Sequence, residues 1–302
     1  MAYNIERIHV EQGRIVRVSF VDTADDNYIA SRWCFVEGLK IDYFWLAVHA
    51  LEKYMKAVLL LNGKSGKIYV NEAGEECTFR HNIMALYGEV NSLASDLLPS
   101  TLEQPDQLEI RYWHDEAPET FLRRLYRDGN ADNRYQIYGF VQRPDDLFKL
   151  DMMVFSLRRL CVPLDAYVFG KKRQGKTNLT HREELEKLET KWSLSPTCKL
   201  EKTASGKRGE QLQEVLLNLN LPFAPDNYQH DALRSTTTAS ISVLAQSILK
   251  PLERAPDSLA GTEAAEVCDW VIENISLPAG VKNQLGDART KWESMRHSNN
   301  GS

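Results

Sequence analysis

The chain has no apolar run approaching the ~18 residues a membrane span requires, and its longest apolar stretch, residues 57–61, lies inside an amphipathic pattern. It has no CxxC pair. Its five cysteines (Cys34, Cys77, Cys161, Cys198, Cys268) are odd in number and scattered, which argues against a disulfide framework and for packed thiols in a reducing compartment. There is no GxSxG elbow for a serine hydrolase. His9, His114, His181, His230 and His297 are dispersed with no HxxxH or Cys/His spacing, so no metal is expected. The opening stretch MAYNIERIHVEQGRIVRVSF alternates apolar and charged residues and lacks the apolar centre of a signal peptide. Charge of one sign is also missing: 37 Lys and Arg stand against 42 Asp and Glu, a net −5. Any contact with nucleic acid therefore needs a local basic patch. These absences give a cytoplasmic protein with no membrane partner and no cofactor.

What is present is ordinary for a folded protein of 302 residues, 43% apolar and 26% charged, enough for one large domain or two. Residues 6–10 and 14–21 read as strands joined at Glu11-Gln12-Gly13, an N-terminal β-hairpin over residues 1–21. From Asp25 the period changes. Ile29, Trp33 and Val36 lie on one helical face, with Asp25 or Asp26 as N-cap and Gly38 as C-cap. A second helix from Asp42 presents Phe44, Val48, Leu51, Met55 and Val58 at spacings of three or four, keeps Glu52, Lys53 and Lys56 on other faces, and ends at Gly63.

Residues 67–79 read as a hairpin turning at Ala73-Gly74, and 81–97 as helix. Strands are expected over 108–113 and 135–141, flanking a basic helix over 119–127. Residues 145–160 form a helix with the seam Leu147, Leu150, Val154, Leu157 and Cys161. Beyond Pro163 come a basic loop (171–176), a charged helix (182–191) and a polar linker (193–209), then helical stretches near 210–219, 239–254, 262–275 and 281–294. The fold class is mainly α: a helical bundle with small β-hairpin elaborations. The expected divisions are 1–21, 22–165 (the bundle), 166–205 (loop, charged helix, linker) and 206–302 (a C-terminal helical region).

The segment Asp26-Asn27-Tyr28-Ile29-Ala30-Ser31-Arg32, followed by the helix Ala47-Val48-His49-Ala50-Leu51-Glu52-Lys53-Tyr54-Met55-Lys56-Ala57-Val58-Leu59, resembles the HEPN domain. In that family a first helix bearing tyrosine and arginine precedes an A-x-x-A-[LIV]-E-K-x-[LM]-K-A-[LIV]-L helix. Arg80-His81-Asn82-Ile83 resembles its His-containing loop before the third helix, and the seam from Leu147 to Cys161 looks like its fourth. The likeness covers residues 22–165. It implies an up-and-down bundle that pairs into homodimers and works on RNA or nucleotides. Ribonuclease members carry an Arg five to seven positions before a His, where the imidazole transfers protons and the guanidinium holds phosphate. None of the seven histidines here has such an Arg; Arg173…His181 and Arg289…His297 are both eight apart. The Gly-Ser…Asp-x-Asp pattern of the nucleotidyltransferases that accompany such proteins is also missing.

Binding without catalysis is therefore expected, through Lys171, Lys172, Arg173 and Lys176 with Arg158 and Arg159 upstream, and through Arg80 and His81. Lys149 stands near the first group, and Arg123, Arg124 and Arg127 make another. Two alternatives stay open: a protein-interaction scaffold, and an enzyme, either a divergent ribonuclease or a P-loop NTPase. Gly170 to Thr177 matches GxxxxGK[ST], in which backbone amides would wrap phosphates and Lys176 would reach the terminal one. Its four cationic or long intervening residues suit a basic loop better.

Overall fold

The computed structural model describes residues 5–107, 110, 112–133, 136–168, 179–187, 199–231, 237–254, 257–275 and 277–299. The chain forms two compact units, Met1–Gly129 with Arg143–Thr236, and Asn130–Gln142 with Thr237–Ser302. Helices dominate both; the described sheets are two antiparallel pairs of strands. No helix among the described residues is long and apolar enough to cross a membrane.

The first unit begins with helix, not with the expected hairpin. Helix α1 (Ile5–Val16) runs through a π-helical turn (Arg17–Val21) into α2 (Asp22–Val36). Val16 and Val21 are buried while Ile15 and Val18 face solvent. That is one-sided helical burial, which the local alternation mimicked. Residues 17–21 pack on α3 (Lys40–Leu61), a tertiary partner that overrides the β-propensity of their branched side chains.

Glycine closes α2 as expected: Gly38 has φ +74, its N–H bonds Phe35 O, and Leu39 N–H bonds Cys34 O. This Schellman motif turns the chain so that α3 packs back on α2. Gly63, at φ +72, ends α3 with the same pattern to Leu60 O and Leu59 O. The α3 stripe of Phe44, Val48, Leu51, Met55 and Val58 is fully buried, each such side chain contributing about 1.5–3 kcal/mol. Helix α5 (Pro118–Gly129) packs so closely on α3 that a Cβ on Gly129 would stand 2.3 Å from Phe44 O. The hairpin β1 (Ile68–Val70) and β2 (Glu76–Thr78) pairs Ile68 with Thr78 and turns at Gly74. Helix α4 (Ile83–Ala94) follows, capped by the Asn82 side chain on Met84 N and Ala85 N. Helix α6 (Asp146–Arg159) buries its whole predicted seam.

The bundle interior also holds charge. On α2, Asp25 and Arg32 stand seven apart; on α6, Asp151 and Arg158 do the same. The two helices meet antiparallel, so Arg158 bonds Asp25 (2.9 Å) and Arg32 bonds Asp151. Tyr28 donates to Asp151 (2.5 Å), Tyr54 to Asp25 (2.6 Å). Burial, reinforced by these carboxylates, pushes both phenols well up, so they remain donors. Asp25 is thus a buried ion-pair member within α2 and not its N-cap.

Helix α7 (His181–Lys187) covers part of the expected charged helix; residues 188–190 and 191 onward to 198 lie outside the described residues. The polar linker instead contains α8 (Lys199–Ala204), whose Leu200 and Thr203 are buried and whose Glu201 reaches Arg158 (3.2 Å). Helix α9 (Glu210–Leu217) packs on α2. The first unit therefore runs past the expected division at 205/206 to residue 236, because α8 and α9 supply partners to α2 and α6.

In the second unit β3 (Gly139–Gln142) pairs antiparallel with β4 (Thr238–Ile241), Phe140 opposite Ser240. This pairing takes residues 130–142 out of the expected 22–165 bundle. It also makes strand of the start of a stretch read as helix. The expected 108–113 strand falls partly outside the described residues; Tyr112 and Trp113 within it are in no strand. Helices α10 (Lys250–Arg254), α11 (Leu259–Asn274) and α12 (Ala279–Asn299) enclose a core of Leu252, Ala265, Cys268, Leu285 and Trp292.

Candidate functional site

Of the cations expected to hold an anion, the structure moves several indoors. Arg158 is 6% exposed, bonded to Asp25 and Glu201. Burial opposes its charge, but Asp25 and then Glu201 raise its pKa well above the usual guanidinium value. The arginine lies on the Asp151 face of α6 because seven residues are close to two helical turns; its surface role is withdrawn. Arg159 is half-buried over the Phe155 ring and donates to Leu97 O (2.9 Å), so it anchors the end of α6. Lys149 is fully buried against Glu116 (2.6 Å) and Asp145 (2.7 Å). Arg124 is bound by Glu116 and Asp146 (both 2.7 Å), Arg127 by Asp128 (2.6 Å). Only Arg123 of that group is exposed and without an ion pair among the described residues.

Lys171, Lys172, Arg173 and Lys176 lie outside the described residues, as does all of Gly170 to Thr177. Their flanks are described: Tyr167 bridges Thr180 antiparallel, and Val168 N–H bonds Leu179 O (3.0 Å). A phosphate-binding loop instead leaves a parallel strand and enters a helix, and no parallel sheet occurs among the described residues.

Arg80 and His81 do lie beside a polar face of α3. On α3 the positions 49, 52, 53 and 56 share one face by helical period, and carry His49, Glu52, Lys53 and Lys56. The loop after β2 is pinned beside them: Phe79 is buried and stacked on Tyr69 (centroids 4.7 Å apart), while Asn82 N–H bonds Phe79 O (2.8 Å). Between these anchors Arg80 takes φ +46, a left-handed backbone that costs a branched or long residue about 1 kcal/mol or more. Lys56 Nζ donates to Arg80 O (2.9 Å) and Glu52 Oε1 (2.6 Å).

Glu52 is buried, with 6% of its side chain exposed, whereas His81 is 71% exposed. Glu52 Oε2 lies 3.1 Å from His81 Nδ1 and 3.7 Å from His49 Nδ1. A carboxylate only accepts, so it fixes the His81 proton on Nδ1 and leaves Nε2 to solvent. The two imidazole centroids are 6.1 Å apart, and Trp45 meets the His49 ring edge-on at 4.2 Å. Burial lowers the His49 pKa; His81, Lys53 and Lys56 lower it further while Glu52 opposes them. Lys53 donates to Asn27 (2.6 Å).

Lys56 thus answers Glu52, and Arg80 makes no ion pair among the described residues. The corner offers an exposed cation next in sequence to an oriented imidazole. Sequence reading named Arg80 and His81 and did not single out Lys56 or Trp45. The His49, Glu52, Lys53, Lys56 spacing was the available signal, masked by the apolar stripe on the same helix. Among the described residues no group of three or more His, Cys, Asp or Glu side chains has metal-holding geometry.

No family model matches the chain, and neither a curated protein nor a solved structure gives a significant match.

Proposed function

We propose that the protein is a HEPN-like helical module that binds RNA or a nucleotide without cleaving it, using the Arg80–His81 corner as its described phosphate-binding surface. One observation carries this reading. Arg80 is held in a left-handed conformation by its buried neighbours, next to an imidazole aimed by a buried carboxylate. Such strain at a long charged residue suits a group presented to a ligand. Guanidinium and imidazole N–H groups match phosphate oxygens. The antiparallel α2–α3 pair, with Tyr28 and Arg32 turned inward to α6, supports the bundle part of the reading. The sequence adds Lys171, Lys172, Arg173 and Lys176 as further cations.

The test is the salt dependence of binding to a generic single-stranded RNA. Affinity should fall steeply between low and moderate salt, with a log–log slope of about −0.7 per phosphate contact. Reversing Lys171, Lys172 and Arg173 should weaken it further; indifference to both would remove the proposal. Pairing of two copies belongs to the same reading and is checked by light scattering.

A second reading rests on Glu52, whose Oε2 lies 3.1 Å from His81 Nδ1 and 3.7 Å from His49 Nδ1: the two imidazoles would act as an acid–base pair. It requires RNA degradation that disappears on His81→Asn or His49→Asn.

A further inference from the structure

We infer that a cavity of about 580 Å³ in the first unit, between α6 and residues 219–230, binds a small, flat, uncharged molecule carrying a hydrogen-bond acceptor, an aromatic amide in kind. This site shares no residue with the Arg80–His81 corner and does not depend on that proposal.

The volume lies in the range of small-molecule sites. Phe148, Met152, Phe155 and Leu221 supply apolar walls, and four prolines border them. Flat aromatic and proline surfaces favour a flat occupant. Among the described residues lining the cavity there is no lysine or arginine, whereas Asp151 and Asp226 both line it. The nearby cation Arg32 is already committed to Asp151, Val215 O (2.9 Å) and Asn218 O. An anion entering here would lose its water and meet carboxylates without a compensating charge, which makes its transfer costly.

Among the polar side chains lining the cavity, His230 has a donor whose position is fixed. Its Nδ1 accepts the Leu219 N–H at 2.8 Å, so the neutral ring keeps its proton on Nε2 and offers a donor. Burial, then the charge of Arg32, holds the His230 pKa below its ordinary value, in keeping with a neutral ring. No described residue accepts from Nε2. The backbone that His230 supports is itself unusual: Leu219 has φ +60, a conformation leucine rarely adopts. Next to it, Asn220 is locked to Tyr28 OH (2.8 Å) and Leu216 O (2.7 Å). A left-handed leucine secured from both sides, bordering a cavity whose rim carries an imidazole donor, fits a built site better than a packing defect. Tyr228, whose ring lies 5.1 Å from that of His230, borders the same opening.

The experiment uses the full chain, labelled with ¹³C at its methionine methyls, and two probes of nearly equal shape, indole-3-acetamide and indole-3-acetate. Met152→Leu identifies the Met152 signal. The amide should shift that signal saturably with a Kd of about 1 mM or tighter, as a ligand of this size allows. The carboxylate should bind at least ten-fold more weakly. Ala224→Trp, at the half-buried rim, should abolish the shift while leaving the helical circular-dichroism signal intact. Leu221→Trp repeats that arm from another side should the first variant not fold. Equal or tighter binding of the carboxylate, a shift that does not saturate, or one that survives the blocking variant that folds would overturn the inference.

Discussion

The two units treat charge in opposite ways. In the first, Asp25, Arg32, Asp145, Asp146, Lys149, Asp151, Arg158 and Glu201 are all buried, each beside an opposite charge. In the second, among the described residues, the buried polar side chains are the uncharged Asn133 and Gln142. Its ion pairs sit outside: Arg289 bonds Asp269 (2.9 Å), whose side chain is 54% exposed, and Glu293. The core beneath is aliphatic, with Trp292 under the guanidinium. The second unit is held by apolar burial and the first by apolar burial plus a register of complementary charges. Cross-pairing of Asp25 with Arg158 and Arg32 with Asp151 fixes how α2 slides along α6, since a slip of one turn would leave buried charges unpaired.

This contrast breaks most visibly at the buried pairs. Arg158→Met should cost the first unit about 3–5 kcal/mol, because Asp25 and Glu201 would be left facing each other without a cation. The matching change in the second unit, Arg289→Met, should cost about 1 kcal/mol or less. Urea unfolding of both variants measures the ratio; similar losses would mean that the buried pair does not set the register.

Gly129→Ala should be next in size, at about 1–3 kcal/mol, since the new methyl would press on the α3 backbone at Phe44. Gly13→Ala, with open space around it in α1, should be neutral or slightly stabilising. Thermal unfolding of this pair separates close helix packing from generic glycine effects.

A smaller effect is expected from pH. His49 and His230 have folded-state pKa values below the ordinary imidazole value, burial being the main cause of each. The unfolded chain therefore takes up protons that the fold refuses. Their stabilising contribution is full above the unfolded imidazole pKa and declines as pH falls below it. Asp146, raised to about 6 mainly by burial, works the other way and gains stability as pH falls from about 6 toward its unfolded value. The informative quantity is thus the difference between parent and His49→Gln/His230→Gln. The variant should lose less stability between pH 8 and pH 5.5, and an unchanged difference would contradict the burial assigned to these rings.

Much of the first unit was readable from period and punctuation. The apolar stripe of α3, the Gly38 and Gly63 stops, the hairpin turn at Gly74 and the seam of α6 all depend on local rules, and the fold keeps them. The failures share a cause. Residues 6–21 look like strands by alternation, and only the packing of residues 17–21 on α3 makes them helix. Strand β4 and helix α8 were misread because their partners, β3 and α6, lie far away in sequence. Charge was hardest. Arg158, Lys149 and Arg124 read as surface cations because neutralising partners such as Asp25, Glu116 and Glu201 sit on other elements. One clue was present: the Asp-x6-Arg spacing recurs at Asp25…Arg32 and Asp151…Arg158, and two antiparallel helices bearing it are complementary. At the candidate site, Arg80 and His81 were named by resemblance, while the strain at Arg80 and the buried partner of His81 emerge only in three dimensions.

In the proposed function Arg80 and His81 hold phosphate while the arginines of α6 hold the fold. Fluorescence anisotropy with a labelled single-stranded RNA at two salt concentrations tests it most directly, comparing the parent with Arg80→Glu/His81→Ala. The expected result is affinity lowered at least about ten-fold with a shallower salt slope, since roughly one to two phosphate contacts are lost. Equal affinity and an unchanged slope in a folded variant would contradict it.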